Sequence, residues 1–253
     1  MKVLIPRNFY ASVFMNILGK NDDLQFVVKE SSLLAKELEH DTSAVALIPS
    51  MDLIKHRNLF VSGKTGISFD GALSNAYFYL SQSEERSLAN IFVRGDISVN
   101  EIILTKVLFE EKYSSKVEVT IDTNIEPDRT NNFLVVGDAN FKSWDFKNSI
   151  SFADQITDMV DLPYVNFVAA SQDRDSIEML NQYVSGIDEL IEDSIDDIIT
   201  KTDFDDDAKL FIRENLNSIY YEITQNEVDA LEELMKIVYY RGILDDMFDI
   251  KIV

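Results

Sequence analysis

The sequence predicts an α/β protein of two lobes joined by a hinge, and three observations lead to it. Short apolar, β-branched runs alternate with amphipathic helical stretches over the first two thirds of the chain. A polar break, SQSEER at 81–86, divides that alternation into two β-α series. The last third is mainly helical and has no sheet of its own to pack on, so it must return to the first series.

Lys2–Pro6 reads as a buried strand, and a helix follows at once from about Asn8 to Leu18. Leu24–Lys29 is the next strand, and Ser32–Glu39 carries helical spacing through Leu33, Leu34 and Leu38. Ala44–Pro49 forms a third strand, after which Ser50 opens a short helix through Met51, Leu53 and Ile54. Repeated β-α units with short loops are the mark of parallel strands joined by crossover helices. Leu59–Ser62, Ile67–Phe69 and Ala76–Leu80 read as consecutive strands. The second series has strands at Ile91–Val93, Val117–Ile121 and Phe133–Val136, a helix at Val99–Tyr113, and a later apolar strand at Tyr164–Ala170.

From Asp175 onward the pattern is helical, over about 175–200, 206–219 and 225–241. The last of these carries an apolar stripe through Val228, Leu231, Leu234, Met235 and Val238. Thr224 and Glu227 form a capping box at its start, and Gly242 stands at its C-cap. The expected lobes are therefore 1–85 plus 172–253 for the first and 86–171 for the second, with crossings near 82–90 and 165–175. Two crossings make a hinge, and a hinge predicts closure around a ligand.

Composition narrows the function. With 253 residues the chain can bury a large core, and its 4 prolines and 8 glycines leave no room for a long flexible linker. The absence of cysteine removes disulfides, thiolate nucleophiles and thiolate metal sites, and suits a reducing compartment. His40 and His56 stand far apart, so no histidine-rich metal site is expected, and no cofactor. The N-terminal stretch reads as a strand and a helix rather than a signal peptide, because Arg7, Asn8 and Asn16 interrupt its apolar residues. Nowhere do about 18 apolar residues run together, so a cytoplasmic location and no membrane partner are expected.

A net charge of −22 repels phosphate backbones and argues against nucleic acid. The acidic run 188–207 lacks the glycine and terminal glutamate of a calcium loop, and reads as the solvated face of a helix with its following loop. GxSxG, Walker A and GxGxxG are all missing. His40 reads as a surface residue, and His56 as a C-terminal cap of the short helix before it.

In parallel α/β sheets ligands gather beyond the carboxyl ends of strands, where helix starts present free amides. Asn8, Ser50, Ser98 and the pair Gly137-Asp138 stand at such junctions, two in each expected lobe. Each also has an ordinary explanation as a helix cap or turn residue. Together they suit a small carboxylic acid held in the interlobe cleft. Against the overall negative field such an anion needs a local positive focus, for which the helix starts and the nearest cations in sequence, Arg7 and Arg94, are the candidates. Asp138 is the candidate general base. The oligomeric state is left open.

With these residues in view, the chain resembles the menaquinone-biosynthesis family of chorismate dehydratase, whose members have a periplasmic-binding-protein-like fold of type II. Asn8 in PRNFYASVFMNIL resembles the family's Asn at the first strand–helix junction, and Ser50 in DTSAVALIPSMDLIKH its strand-ending serine. SVNEIILTKVLFEEKY, opened by Ser98, resembles the helix that opens the second lobe, and LVVGDANF the strand followed by Gly137-Asp138. SFADQITDMVDLPYVNFVAAS resembles the helix, Leu-Pro turn and return strand, and YYEITQNEVDALEELMKIVYYRGI the closing helix.

The chain also departs from the family. Ala11 stands where a proline is common, Gly95-Asp96-Ile97 where further Ser, Thr or Arg occur, and Ala169-Ala170-Ser171 where a Trp is frequent. The resemblance implies a lyase that dehydrates chorismate to an enolpyruvyl-oxybenzoate. Asn8 and Ser50 would position substrate, Ser98 would hold a carboxylate, and either Asp138 or a carboxylate of the substrate would accept the proton. The related naphthoate-forming enzyme is a weaker match, because it relies on a second-lobe histidine and none follows residue 56 here. The alternative is a non-catalytic, intracellular small-ligand-binding protein of the same fold, with the acidic helical tail serving assembly as a further possibility.

Overall fold

The computed structural model describes residues 1–81 and 88–253. The polar break at 81–86, Ser81 apart, and the domain limit placed at 85 therefore lie outside the described residues. The chain begins with β1 (Lys2–Pro6), α1 (Phe9–Leu18), β2 (Gln25–Lys29), α2 (Leu34–Glu37), β3 (Val45–Pro49) and β4 (Phe60–Phe69). It continues through β5 (Ala76–Tyr79), β6 (Asn90–Gly95), α3 (Val99–Tyr113), β7 (Glu118–Ile121), β8 (Phe133–Val136), β9 (Ile150–Ser151) and α4 (Phe152–Val160). The last part is β10 (Tyr164–Ser171), α5 (Arg174–Val184), α6 (Ile187–Thr200), α7 (Asp206–Glu214), β11 (Ile219–Glu222), α8 (Gln225–Tyr240) and β12 (Lys251–Ile252).

Among the described residues two sheets form, and they share one plan. The first runs β11-β4-β10-β3-β1-β2, with β12 added beside β4. The second runs β7-β6-β8-β5-β9. In each, three parallel strands are followed by one antiparallel strand that the chain delivers from the other lobe: β10 lies against β3 and β4, and β5 against β8 and β9.

This exchange moves the crossings away from where the sequence placed them. Ala76–Tyr79 belongs to the second sheet and Tyr164–Ser171 to the first, so the chain changes sheet at 70–75 and again at 161–163. Strand propensity is blind to which sheet a strand joins. All eight residues of β10 are buried, as an apolar run must be when both faces of its sheet are covered.

Elsewhere the elements follow their local chemistry. The runs expected at 59–62 and 67–69 are one ten-residue strand, β4, in which Gly63 and Gly66 interrupt the apolar pattern without ending the ladder. The helix expected over 175–200 is two, parted at Gly186, whose φ of +75° suits glycine. The helix expected over 206–219 ends at Glu214, and Ile219, placed at its end, instead opens the edge strand β11. In α6 the isoleucines 187, 191, 195 and 199 are buried while Glu189, Glu192, Asp193, Asp196 and Asp197 are exposed. One acid of that run does more: the Asp188 carboxylate accepts the Tyr221 and Glu222 amides on the edge of β11 at 2.8 and 3.3 Å. Capping boxes are present at Ser98/Glu101 and at Thr224/Glu227. Among the described residues no helix is long and apolar enough to cross a membrane.

Gly95 closes β6 at φ +109°, and a Cβ there would meet the Val136 carbonyl oxygen at 2.0 Å. Gly95→Ala is therefore expected to cost about 3 kcal/mol or more, by forced strand separation added to backbone strain. Denaturant unfolding measures this; a midpoint equal to that of the native protein would contradict the close approach of β6 and β8.

Candidate functional site at the interlobe seam

The lobes meet along a seam where strand ends of one face helix starts of the other. β1 ends at Pro6, and Asn8, in extended backbone, caps α1 by accepting the Ala11 amide at 2.8 Å. That leaves the Phe9 amide among the donors a helix start cannot use internally. The Asp138 carboxylate, from the second lobe, accepts it at 2.7 Å.

The same arrangement recurs twice. The Asp96 carboxylate accepts the Ser31 amide at 2.9 Å and the Ser31 hydroxyl at 2.7 Å, where the turn 31–33 opens. Asn100 Oδ1 accepts the Met51 amide at 2.8 Å and faces the Ser50 hydroxyl at 3.4 Å, where the turn 50–54 opens. The Asn100 amide nitrogen donates to the Tyr164 hydroxyl at 3.1 Å and the Asn166 carbonyl at 2.7 Å, both on β10. One side chain of α3 thus ties together two elements of the first sheet's lobe.

The second lobe supplies these groups because of how its strands end. β6 and β8 are parallel neighbours with Gly95 opposite Val136; β6 ends on the glycine of a Gly-Asp pair, and β8 is followed by one. Both glycines have positive φ, +109° and +86°, which breaks each strand sharply and sets an aspartate just beyond it.

The acids along this seam hold their protons more tightly than free carboxylates do. Burial raises Asp138, against the opposing pull of the Phe9 amide and of Lys142. Burial likewise raises Asp96, against its bonds to Ser31 and to the Arg7 backbone, and raises Glu101, against its bonds to Ser98. Asp52, on the 50–54 turn, is pushed up to about 7 by burial; Lys55 offsets part of this, and Glu101 adds to it. Asp52 Oδ2 and Asn8 Nδ2 are both buried without a hydrogen-bond partner among the described residues.

The sequence candidates fall into place unevenly. Asn8 and Asp138 come together at the start of α1, and Gly137 provides the turn before Asp138. Ser50 lies across from Asn100. Ser98 is turned onto its own helix: its hydroxyl donates to Glu101 at 2.7 Å and accepts the Asn100 amide at 3.2 Å. The expected cationic focus takes another form. Arg94 pairs with Asp122 at 3.1 Å and donates to the Asn124 carbonyl, while the Arg7 side chain is exposed. His56 stands 3.7 Å from Glu39. Ser31 and Asn100 were not singled out from sequence, and Asp96 was noted there only as a departure from the family. The signal for Asp96 was present in the repeated Gly-Asp after two apolar strands. The signal for Asn100 was an amide side chain in a first turn that Ser98 already caps.

No protein-family model matches the chain, and no curated protein matches it. Solved structures do. Protein AF1704 from Archaeoglobus fulgidus superposes with a TM-score of 0.63 at 16% identity, over 96% of this chain and 98% of that one. The Candida albicans CA3427 gene product, described as exhibiting the generic periplasmic binding protein structural fold, gives 0.66 at 11% identity, over 98% and 92%. An ABC transporter structure from Parabacteroides distasonis gives 0.62 at 14%, over 95% and 92%. The chain has the periplasmic-binding-protein fold, with two α/β lobes.

Asp52 generates a test with a defined sign. Its carboxyl binds a proton more tightly in the folded chain (about 7) than when unfolded (3.8), so the folded state carries more protons between those values. Stability contributed by neutral Asp52 is present below the unfolded value and is lost as pH rises through about 7, by up to about 4 kcal/mol. The groups that set its environment are Lys55 and Glu101. Urea unfolding at pH 5.5 and pH 8 is expected to show the lower stability at pH 8, with Asp52→Asn flattening the difference. An Asp52→Asn variant with the native pH dependence would contradict it.

Proposed function

We propose that this protein is a small-ligand receptor that closes its lobes on a carboxylic acid at the seam. The observation that carries this reading is the set of three first-lobe helix or turn starts met from the second lobe by Asp138, Asp96 and Asn100. Two of the three groups are carboxylates, so the amides they meet suit carboxylate oxygens. A ligand carboxylate entering there would take the Phe9 amide in place of Asp138 and could reach the unused Asn8 Nδ2. Fixed amides would hold such an anion without an arginine, in keeping with the engagement of Arg94 elsewhere.

A second reading, the chorismate dehydratase-like lyase, is supported by the sequence resemblance at Asn8, Ser50, Ser98 and Gly137-Asp138. The raised proton affinity of Asp138 beside a carboxylate-binding helix start also favours it. In that reaction a ring C–H proton passes to the base, the C–O bond to the ring hydroxyl breaks as the ring becomes aromatic, and the departing hydroxide takes up that proton and leaves as water. Ser50 and Asn8 would orient the ring, and the Ser98 helix start would hold the second carboxylate.

One pair of measurements separates the two. Thermal-shift screening against benzoate, shikimate, chorismate, nucleosides and amino acids finds the ligand class, and chromatography after incubation with chorismate detects turnover. For a receptor, a carboxylic acid stabilises the protein and is recovered unchanged. Asp138→Ala then tightens its binding about tenfold, by removing the internal competitor. For a lyase, chorismate is consumed and Asp138→Ala abolishes that consumption. Stabilisation by nucleosides alone, with no response to any acid, would contradict the carboxylate site.

A further inference from the structure

We propose that residues 203–211 form a latch that fastens the two lobes together, and that its release shifts the seam toward the open state. The segment leaves α6 and enters α7, and it is anchored on the first lobe: α6 packs beside α1, and β11, which follows α7, joins the first sheet. Its contacts nevertheless reach the second lobe. Phe204, 5% exposed, places its ring 5.2 Å from Phe9 at the start of α1 and 5.3 Å from Phe141, which follows Asp138. One ring therefore touches both lobes beside the Phe9–Asp138 bond. The Asp205 amide donates to the Phe141 carbonyl at 3.3 Å, and Phe211 of α7 lies 5.3 Å from Phe146. Two ion pairs flank these contacts, Lys142–Asp203 at 2.7 Å and Lys147–Asp207 at 2.6 Å.

Magnitudes assign the work within the latch. Both ion pairs are half-exposed or more at the acidic end, so each contributes little and is screened by salt. The buried Phe204 ring, with an edge or tilted partner on each side, supplies most of the attachment. The two hinge crossings permit rotation, whereas the latch is a third link that opposes it alongside the seam's own bonds. The Asp138 carboxyl feels both Lys142 and Asp203, which places the latch's ion pair next to the bond closing the seam. The ligand reading above supplies the latch's purpose, but its existence needs no ligand to test.

The chain contains no cysteine, so Lys20→Cys and Lys106→Cys, exposed positions on α1's C-terminal side and on α3, give one labelled pair across the lobes. Pulsed electron paramagnetic resonance on the spin-labelled, ligand-free protein should show one narrow distance distribution. Phe204→Ala should add a second population at longer distance, with the open-to-closed ratio raised at least about tenfold. An unchanged narrow distribution in Phe204→Ala overturns the proposal. Amide hydrogen exchange distinguishes release from general loosening. Faster exchange at Phe9 and Ser31 with Ala46–Ile48 still protected supports the latch, and equal acceleration at all of them overturns it. Failure to find any carboxylic acid ligand would remove the receptor reading and leave these results standing.

Discussion

The seam is organised by one constraint: a helix start inside a protein carries backbone amides that its own helix cannot use. In this fold three such starts face the other lobe, and each needs an acceptor once water is excluded. Asp138, Asp96 and Asn100 provide them. The positions of these side chains fix much else. They require β6 and β8 to end at the same level, with a glycine that breaks each strand and an aspartate immediately after it. They require α3 to begin beside the 50–54 turn, which brings Asn100 to β10 and Glu101 near Asp52.

The consequence is electrostatic. Asp138, Asp96, Glu101 and Asp52 are all held toward the protonated form by burial, and hydrogen bonds recover part of that cost for the first three. A closed seam built from buried acids is only conditionally stable. It favours proton uptake, and under the receptor reading it would exchange an internal carboxylate for a ligand's of equal charge. A fold that closes in this way suits a binding protein, since the bonds holding the lobes together are of the kind a ligand would make.

Much of the architecture was legible in the sequence because it rests on local chemistry. The β-α alternation, the buried strand VALIP, both capping boxes, and the junctions at Asn8, Ser50 and Gly137-Asp138 follow from periodicity and cap preferences. What was not legible depends on long-range pairing. AYFY and YVNFVAAS read as strands, but nothing within them says that each is inserted into the opposite lobe's sheet. IYYE is too short for its period to outweigh the helical residues before it. Asn8 and Asp138 were both picked out as junction residues. That the second caps the first's helix, at the Phe9 amide, is a contact across 129 residues of sequence, and only the fold brings it about. Phe204 carried no signal at all: a lone aromatic among aspartates reads as a loop residue until its two neighbours, Phe9 and Phe141, are in place.

The most direct measurement is small-angle X-ray scattering on the Asp96→Ala/Asp138→Ala double variant beside the native protein, both without ligand. If these two carboxylates close the seam, the double variant stays folded but scatters as a more open particle, with a larger radius of gyration and a longer maximum dimension. Identical scattering from the two proteins would contradict it, and would mean that the lobes are held by something other than the acids at their helix starts.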